Sequence, residues 1–136
     1  MAEPVDVLFV CHHGAAKSVI AARQLVALAH ARGLNLKASA AGVEPDEAIP
    51  PHVTAGLRGD GVDDHAAPPE AVTREMLANA GIVVSFGCDL SAFADGSTRI
   101  VEWSGVPAVS DGYDAARTEI VSRLPAILDE AERLRG

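Results

Sequence analysis

The chain has 136 residues and a net charge of −8 at pH 7. This length predicts one domain, residues 1–136, and a hydrophobic content of 49% is enough to bury a core without disulfides or a structural metal. Because an acidic chain repels other polyanions, we expect neither a nucleic acid nor an anionic membrane as a partner. An anion site in this chain must therefore be local.

The N-terminus and the cysteines indicate a cytoplasmic protein. The first residues, MAEPVD, are acidic where a secretory signal would be basic, and no apolar run approaches the ~18 residues of a membrane span. The two cysteines, Cys11 and Cys88, are too few and too far apart for a secreted disulfide framework. We therefore expect the cytoplasm as the location.

Apolar runs and amphipathic segments alternate along the chain. The predicted strands are 5–10, 34–41, 82–86 and 99–103. The predicted helices are 15–31, a short one through 53–57, 70–80 and 113–134. This order is typical of an α/β domain with an open, four-stranded parallel sheet, strand order 2-1-3-4, and helices on both faces.

Helical spacing predicts the buried faces of the two long helices. In the first helix the expected buried stripe is Val19, Ala22, Val26 and Ala29. In the last helix it is Ala116, Ile120, Leu124, Ile127, Leu128 and Ala131. Pro125 should kink or interrupt that helix, and Ser110 or Asp111 is a candidate N-cap.

The segment 7–18, VLFVCHHGAAKS, combines a buried strand, a thiol and the start of a helix. In parallel sheets ligands bind beyond the carboxyl ends of the strands, and Cys11 lies there. Backbone N–H groups and the positive end of a helix dipole converge in such a loop and favour an oxyanion. The same environment, with Lys17 nearby, lowers the pKa of a cysteine. The pattern indicates a thiolate that attacks phosphorus or arsenic.

Each of these residues also has a purely structural interpretation. Cys11 can be a small buried apolar residue, and Lys17 a solvated lysine of the first helical turn. His12 and His13 are adjacent on one loop and rarely offer convergent ligands, so we expect no metal site. Ser18 is a candidate donor to the thiolate, because a hydroxyl at that spacing can reach the sulfur.

The segment 7–18 resembles the phosphate-binding loop of the low-molecular-weight protein tyrosine phosphatase superfamily, which reads Cys, five residues, Arg, Ser after an apolar strand. The arsenate reductase-like branch is more similar, because its loop reads Cys-x-His-Asn-Ala-Gly-Arg-Ser. The residues in register with that loop are Cys11, His13, Ala15 and Ser18. Further similarities are the segments 39–42, 61–63 and 82–87, and Trp103 followed by Val106-Pro107.

The resemblance implies a cysteine nucleophile, Cys11, that acts on phosphate, arsenate or a phosphorylated substrate. It assigns oxyanion binding to one continuous loop, namely His12, His13, Gly14, Ala15, Ala16, Lys17 and Ser18. It implies no tightly bound cofactor, and a small thiol as the reductant if arsenate is the substrate.

Three departures from the family pattern bear on activity. Lys17 replaces the family arginine and loses its planar fork, so weaker transition-state binding is expected. Gly14 replaces the family asparagine, and restoring Asn there together with Arg at position 17 is expected to raise activity. Ala108 replaces the acid of the last loop, for which Asp111 is the nearest substitute. The alternative for Asp111 is a helix cap.

Cys88 has two interpretations. It lies near the position of the first resolving cysteine of thioredoxin-linked arsenate reductases, and no third cysteine follows. It is therefore either a resolving thiol or a bystander.

Three functions follow from these residues. The first is a phosphomonoester hydrolase and the second an arsenate reductase, both with reduced activity. The third is a catalytically impaired oxyanion-binding or regulatory protein. The missing acid weakens the case for a phosphomonoester hydrolase more than the case for an arsenate reductase, because arsenate needs no protonation comparable to that of an alkyl ester.

Overall fold

Strands and helices follow one another in the order that the periodicity predicts. The structure is a computed structural model that describes residues 5–62, 69–94, 96 and 98–135. The strands are β1 (Val5–Cys11), β2 (Leu36–Gly42), β3 (Ile82–Ser85) and β4 (Ile100–Glu102). The helices are α1 (Lys17–Ala31), α2 (Pro51–Gly59), α3 (Arg74–Asn79) and α4 (Tyr113–Arg135), with a 3₁₀ turn at Val109–Asp111. Asp63, in the segment 61–63, lies outside the described residues.

The four strands form one parallel sheet in the order β2-β1-β3-β4, which confirms the predicted topology. β1 is central: Val7 pairs with Ala38 on one side and with Ile82 on the other. Because parallel strands all end at the same edge, the carboxyl end of β1 lies beside those of β2 and β3. Cys11 is the last residue of β1 and therefore lies at this edge.

Alternation of side chains along β1 divides the core in two. Val7 and Phe9 contact the core formed with α1, α2 and α4, whereas Leu8 and Val10 contact the core formed with α3 and Leu90. Helices therefore cover both faces of the sheet, as predicted.

The buried face of α1 is broader than the predicted stripe and differs from it at one position. Val19, Ala22 and Ala29 are buried, but Val26 is 38% exposed, so that prediction is wrong. Ile20, Ala21 and Leu25 are buried instead. The reason is that α1 packs against both the sheet and α4, which covers the side of the helix that those residues share.

The predicted face of α4 is confirmed in full, and of the two effects predicted for Pro125, a kink or an interruption, the interruption is wrong. All six apolar residues of that face are buried, and the helix runs unbroken from Tyr113 to Arg135. Proline costs about 3 kcal/mol inside a helix. Burial of Ile120 and Leu124 before Pro125, and of Ile127 and Leu128 after it, offsets this cost.

Two helix starts differ from the prediction. α3 begins at Arg74 rather than near residue 70, because Ala71 forms a parallel bridge to Gly42 and Thr73 caps the helix by accepting from the Met76 N–H at 3.1 Å. α4 is preceded directly by Gly112. Ser110 and Asp111 lie in the 3₁₀ turn before it, so neither occupies the N-cap position. Among the described helices, none is both long and apolar enough to cross a membrane.

Candidate active site

Cys11 and Ser18 form the base of the loop between β1 and α1. Cys11 is 7% exposed and Ser18, on the first turn of α1, is fully buried. The Cys11 Sγ and Ser18 Oγ atoms are 3.0 Å apart, which is hydrogen-bond distance. The predicted contact between this hydroxyl and the thiol is therefore present.

In the backbone of the loop, three carbonyl groups accept hydrogen bonds, whereas the N–H groups have no acceptor among the described residues. The carbonyls of Cys11, His12 and His13 accept from the N–H groups of Val43, Glu44 and Asp46, at 3.3, 2.8 and 3.1 Å respectively. By contrast, no hydrogen bond within the described residues uses the N–H groups of residues 12–19. The side chain of Ala16, at the N-cap of α1, provides no cap either. These amides next to a buried thiol are available to an anion.

The loop is pressed against the end of β2. Gly14 has φ +62°, and a Cβ atom on it would lie 2.6 Å from the Gly42 backbone nitrogen. A Cβ on Gly42 would lie 2.5 Å from the Gly14 nitrogen. Both positions therefore require glycine. Asparagine tolerates a positive φ, but its Cβ has no room here, so the structure contradicts the expected gain from Asn at position 14.

A cavity of about 310 Å³ opens above the loop, a volume suited to a small ligand. Its lining residues are Cys11, His12, His13, Ala15, Ala16, Lys17, Asp46, Pro50, His52, Phe86, Ala108, Val109 and Ser110. The cavity thus brings together most of the predicted oxyanion loop. Gly14 and Ser18 do not line it, and both are buried.

Lys17 supplies the cation of this cavity. It is half-buried as the first residue of α1 and forms no ion pair within the described part of the chain. A cation at a helix N-terminus opposes the helix dipole. With no carboxylate beside it, its positive charge is available to a bound anion.

The two histidines after Cys11 are each paired with an acid of the segment after β2. The His12 Nε2 atom lies 3.3 Å from Glu44 Oε2, and the His13 Nδ1 atom lies 3.2 Å from Asp46 Oδ1. No group of three or more potential metal-binding side chains is found among the described residues. The role predicted for these histidines within the oxyanion loop remains a proposal.

Asp111, the predicted substitute acid, is exposed and does not line the cavity, whereas its neighbour Ser110 does. Asp46 and His52 also line the cavity, although neither was expected there from the sequence. Neither lies in a recognisable motif. Their positions follow from how the 43–50 segment and α2 fold back over the loop.

Cys88 lies on the other side of the sheet from the cavity. It packs with the core of Leu8, Val10 and Leu90, and its Sγ lies 3.9 Å from the Val10 carbonyl oxygen. Burial, followed by the charges of Cys11 and Glu102, raises the pKa of the Cys88 thiol. Phe86, two residues earlier, faces the cavity instead. Cys88 is therefore not part of the cavity lining, although the charges of Cys11 and Lys17 both act on its thiol.

Comparisons with solved structures give the same fold over nearly the whole chain. The thioredoxin-dependent arsenate reductase of Corynebacterium glutamicum is 26% identical, with a TM-score of 0.78, over 97% of this chain; this chain spans 64% of that protein's length. An arsenate reductase from Archaeoglobus fulgidus is 27% identical, with a TM-score of 0.71, over 90% of this chain and 98% of that one. YfkJ from Bacillus subtilis is 17% identical, with a TM-score of 0.86 and 98% coverage of both chains, which shows the shared fold.

No curated protein matches the sequence. The sequence model of the low molecular weight phosphotyrosine protein phosphatases matches residues 6–91, which include β1, the Cys11 loop and β3. This match, the strand order and the position of Cys11 agree with the resemblance found in the sequence. The chain belongs to the low molecular weight phosphotyrosine protein phosphatase family.

Proposed function

We propose that the protein is a thiolate enzyme acting on a tetrahedral oxyanion, with Cys11 as the nucleophile. The observation that carries this proposal is the loop backbone. Residues 12–19 offer unused N–H groups next to the Cys11 sulfur, while the loop carbonyls are bound by the 43–46 segment. Such a set of fixed donors stabilises negative charge as it develops on the equatorial oxygens. Lys17 adds a positive charge in the same cavity.

Arsenate reduction is the first candidate. The Cys11 thiolate attacks arsenic, the As–O bond breaks and water leaves once its oxygen is protonated. A small external thiolate then attacks the Cys11 sulfur, and the S–As bond breaks with its electron pair going to arsenic, which leaves as As(III). A second thiol resolves the mixed disulfide. Two arsenate reductases at 26% and 27% identity support this candidate.

An external thiol is proposed because Cys88 packs on the opposite face of the sheet from the cavity. For Cys88 to resolve the adduct, its segment would have to leave the core that Leu8 and Val10 share with it. Cys88 is thus proposed as a bystander, and its role as a resolving thiol is the alternative.

Hydrolysis of a phosphate monoester is the second candidate, and the apolar wall of the cavity favours it. Pro50, Phe86, Ala108 and Val109 can contact the organic part of an ester. In this reaction Cys11 displaces the alcohol from phosphorus, and water then breaks the P–S bond. Either reaction is proposed to be slow, because Lys17 gives one point of charge where arginine gives two parallel hydrogen bonds.

A single set of assays tests the proposal and its alternative. The purified protein is given arsenate with a small thiol, and separately an aryl phosphate, with Cys11→Ser as the control. Arsenite or phosphate release that depends on Cys11 supports the proposed enzyme. If neither product forms, but phosphate still protects Cys11 from alkylation, the protein is an impaired oxyanion-binding member of the family.

A further inference from the structure

Both proposed reactions need a proton for the departing oxygen. The position of the family's acid, however, holds no acidic residue in this chain. Ala108 stands there, and Asp111 does not line the cavity. The titratable groups that do line it, besides Cys11 and Lys17, are three histidines and one carboxylate, namely His12, His13, His52 and Asp46. One of these histidines is distinguished by its contacts.

The hydrogen bonds of His13 determine which of its ring nitrogens carries a proton. The Nδ1 atom is 3.2 Å from the backbone oxygen of Glu44. A carbonyl oxygen only accepts, so Nδ1 must carry the hydrogen and donate it. The neutral imidazole therefore has an unprotonated Nε2, and this nitrogen has no partner among the residues that the structure describes.

Asp46 gives this imidazole an anionic partner. Its Oδ1 atom lies 3.2 Å from the same Nδ1 and is a charged acceptor for the N–H of that atom. When the ring is an imidazolium, Nε2 carries a second hydrogen. The backbone reinforces the arrangement, since the Asp46 N–H donates to the His13 carbonyl at 3.1 Å. An acid, an oriented imidazole and a free Nε2 form the arrangement in which histidine transfers protons.

The neighbouring pair, His12 and Glu44, makes its contact through the other ring nitrogen. His12 contacts the Glu44 carboxylate through Nε2, at 3.3 Å, so its outer nitrogen is occupied. The two rings meet edge to face, with centroids 4.5 Å apart. Of the two histidines, only His13 combines a carbonyl that sets its tautomer with a free Nε2.

We propose that His13, supported by Asp46, is the general acid of the Cys11 site, a role that rests on the proposed function. As the Cys11 sulfur bonds to phosphorus or arsenic and the bond to the departing oxygen breaks, the proton on His13 Nε2 passes to that oxygen. An alcohol leaves from an ester, or water leaves from arsenate. In ester hydrolysis the neutral Nε2 then accepts a proton from the water that attacks the phosphocysteine, which restores the starting state. Asp46 is a positioning residue.

Several charges act on His13 besides Asp46. Glu44 and His12 lie in the same cluster, and Cys11, Lys17 and His52 line the same cavity. The test must therefore remove the charge of Asp46 and compare the result with removal of a nearby charge that makes no such contact.

Two substitutions distinguish proton transfer by His13 from the contacts that hold its ring in place. In His13→Asn the amide nitrogen takes the place of Nδ1 and can still donate to the Glu44 carbonyl, but Nε2 is gone. Asp46→Asn keeps the shape of the partner and removes its charge. Glu47→Gln is the matched control, because Glu47 is exposed in the same segment and does not line the cavity. Asp111→Asn tests the alternative acid.

The readout is kcat/KM for two phosphate esters, phenyl phosphate with a poor leaving group and p-nitrophenyl phosphate with a good one. We expect His13→Asn to slow phenyl phosphate by about 10²-fold or more and p-nitrophenyl phosphate by less than about tenfold. Asp46→Asn should slow phenyl phosphate by about tenfold and p-nitrophenyl phosphate by less, because the ring loses the carboxylate that orients it. Glu47→Gln should change neither rate.

Other outcomes overturn the inference in distinguishable ways. Equal losses on both esters in a folded His13→Asn variant, or selective loss in Asp111→Asn instead, would reject His13 as the acid and leave the proposed function standing. Equal losses in Asp46→Asn and Glu47→Gln would reject the Asp46 contact as the cause. Absence of turnover of both esters and of arsenate by the native protein would reject the proposed function, and the acid role with it.

Discussion

The backbones of Gly14 and Gly42 are in direct contact, which fixes the Cys11 loop against the end of β2. A Cβ on either residue would approach the other's backbone nitrogen to 2.6 Å or less. Gly42 in turn is held by the 70–72 segment, since its N–H donates to the Glu70 carbonyl and its carbonyl accepts from Val72 N–H, both at 2.9 Å. The loop therefore packs against a part of the backbone that is held in place by these hydrogen bonds.

Gly42→Ala should distort this support and abolish most activity. Overpacking of this kind costs about 1 to 3 kcal/mol of unfolding free energy, and the displaced loop no longer presents its amides. Urea unfolding and the aryl phosphatase assay measure the two effects. Gly59→Ala is the control, because a Cβ there meets nothing within 4 Å. An active, stable Gly42→Ala protein would contradict the close contact.

Ser18→Ala should lower kcat/KM with little change in stability. The Ser18 hydroxyl lies 3.0 Å from the Cys11 sulfur, and a hydrogen bond to a charged group contributes about 1.5 to 3 kcal/mol, or roughly 10- to 150-fold. Ser122→Ala is a matched control, since the Ser122 hydroxyl bonds only to its own helix, at the Glu119 carbonyl. Unchanged kinetics in Ser18→Ala would show that the hydroxyl does not assist the thiolate.

Lys17→Arg should raise kcat/KM roughly 5- to 150-fold, because arginine offers two parallel hydrogen bonds to equatorial oxygens. This factor corresponds to about 1 to 3 kcal/mol of transition-state stabilisation. Lys37→Arg makes the same change at the chain's other lysine, which is exposed on β2, and should have no effect. A decrease in Lys17→Arg would indicate a substrate other than a tetrahedral oxyanion. Adding Gly14→Asn should now remove the gain, since the Cβ at position 14 has no room.

Alkylation should distinguish the two thiols. Near neutral pH we expect iodoacetamide to modify Cys11 first, with phosphate or arsenate protecting it, because the anion occupies the cavity that Cys11 lines. The raised pKa of Cys88 leaves less thiolate at that pH, so its modification should be slow and should accelerate as the pH rises. Mass spectrometry of peptides assigns the sites. Faster labelling of Cys88, unaffected by oxyanions, would show that the cavity does not bind them.

Tyr113 should make the protein sensitive to alkaline pH. Burial, and then the hydrogen bond from its hydroxyl to Asp60 Oδ2 at 2.9 Å, raise the pKa of Tyr113. The folded state therefore holds this proton more tightly, so the contribution is complete below the ordinary tyrosine pKa of ~10. It is lost as pH rises above that value, and because the side chain is only partly buried, solvent screening keeps the slope well below the limit of ~1.4 kcal/mol per pH unit.

The single tyrosine in the chain makes this titration directly measurable by tyrosinate absorbance. Tyr113→Phe should lose about 1 kcal/mol of unfolding free energy at neutral pH, because Asp60 keeps its contact with Gln24 Nε2 at 2.9 Å. That deficit should shrink above pH ~10, where only the native protein loses the contribution. A deficit that stays constant with pH would contradict the raised pKa.

The sequence alone determined the parallel sheet, the strand order and the location of the thiol loop. Each follows from local patterns: apolar runs such as β1, helical spacing such as the face of α4, and the short distance along the chain from Cys11 to Ser18. These patterns act within one element or between adjacent elements, so they can be recognised without coordinates.

Only the tertiary structure decided which distant residues complete the site. Asp46 reaches His13 because the segment after β2 hydrogen-bonds to the loop, and Gly42 contacts Gly14 because β2 pairs with β1. Cys88 packs on the face of the sheet opposite the cavity, although Cys11 ends β1 and Cys88 follows the neighbouring strand β3. Contacts between segments far apart in sequence depend on the register of the paired strands and on the paths of the loops between elements, and no local pattern carries that information.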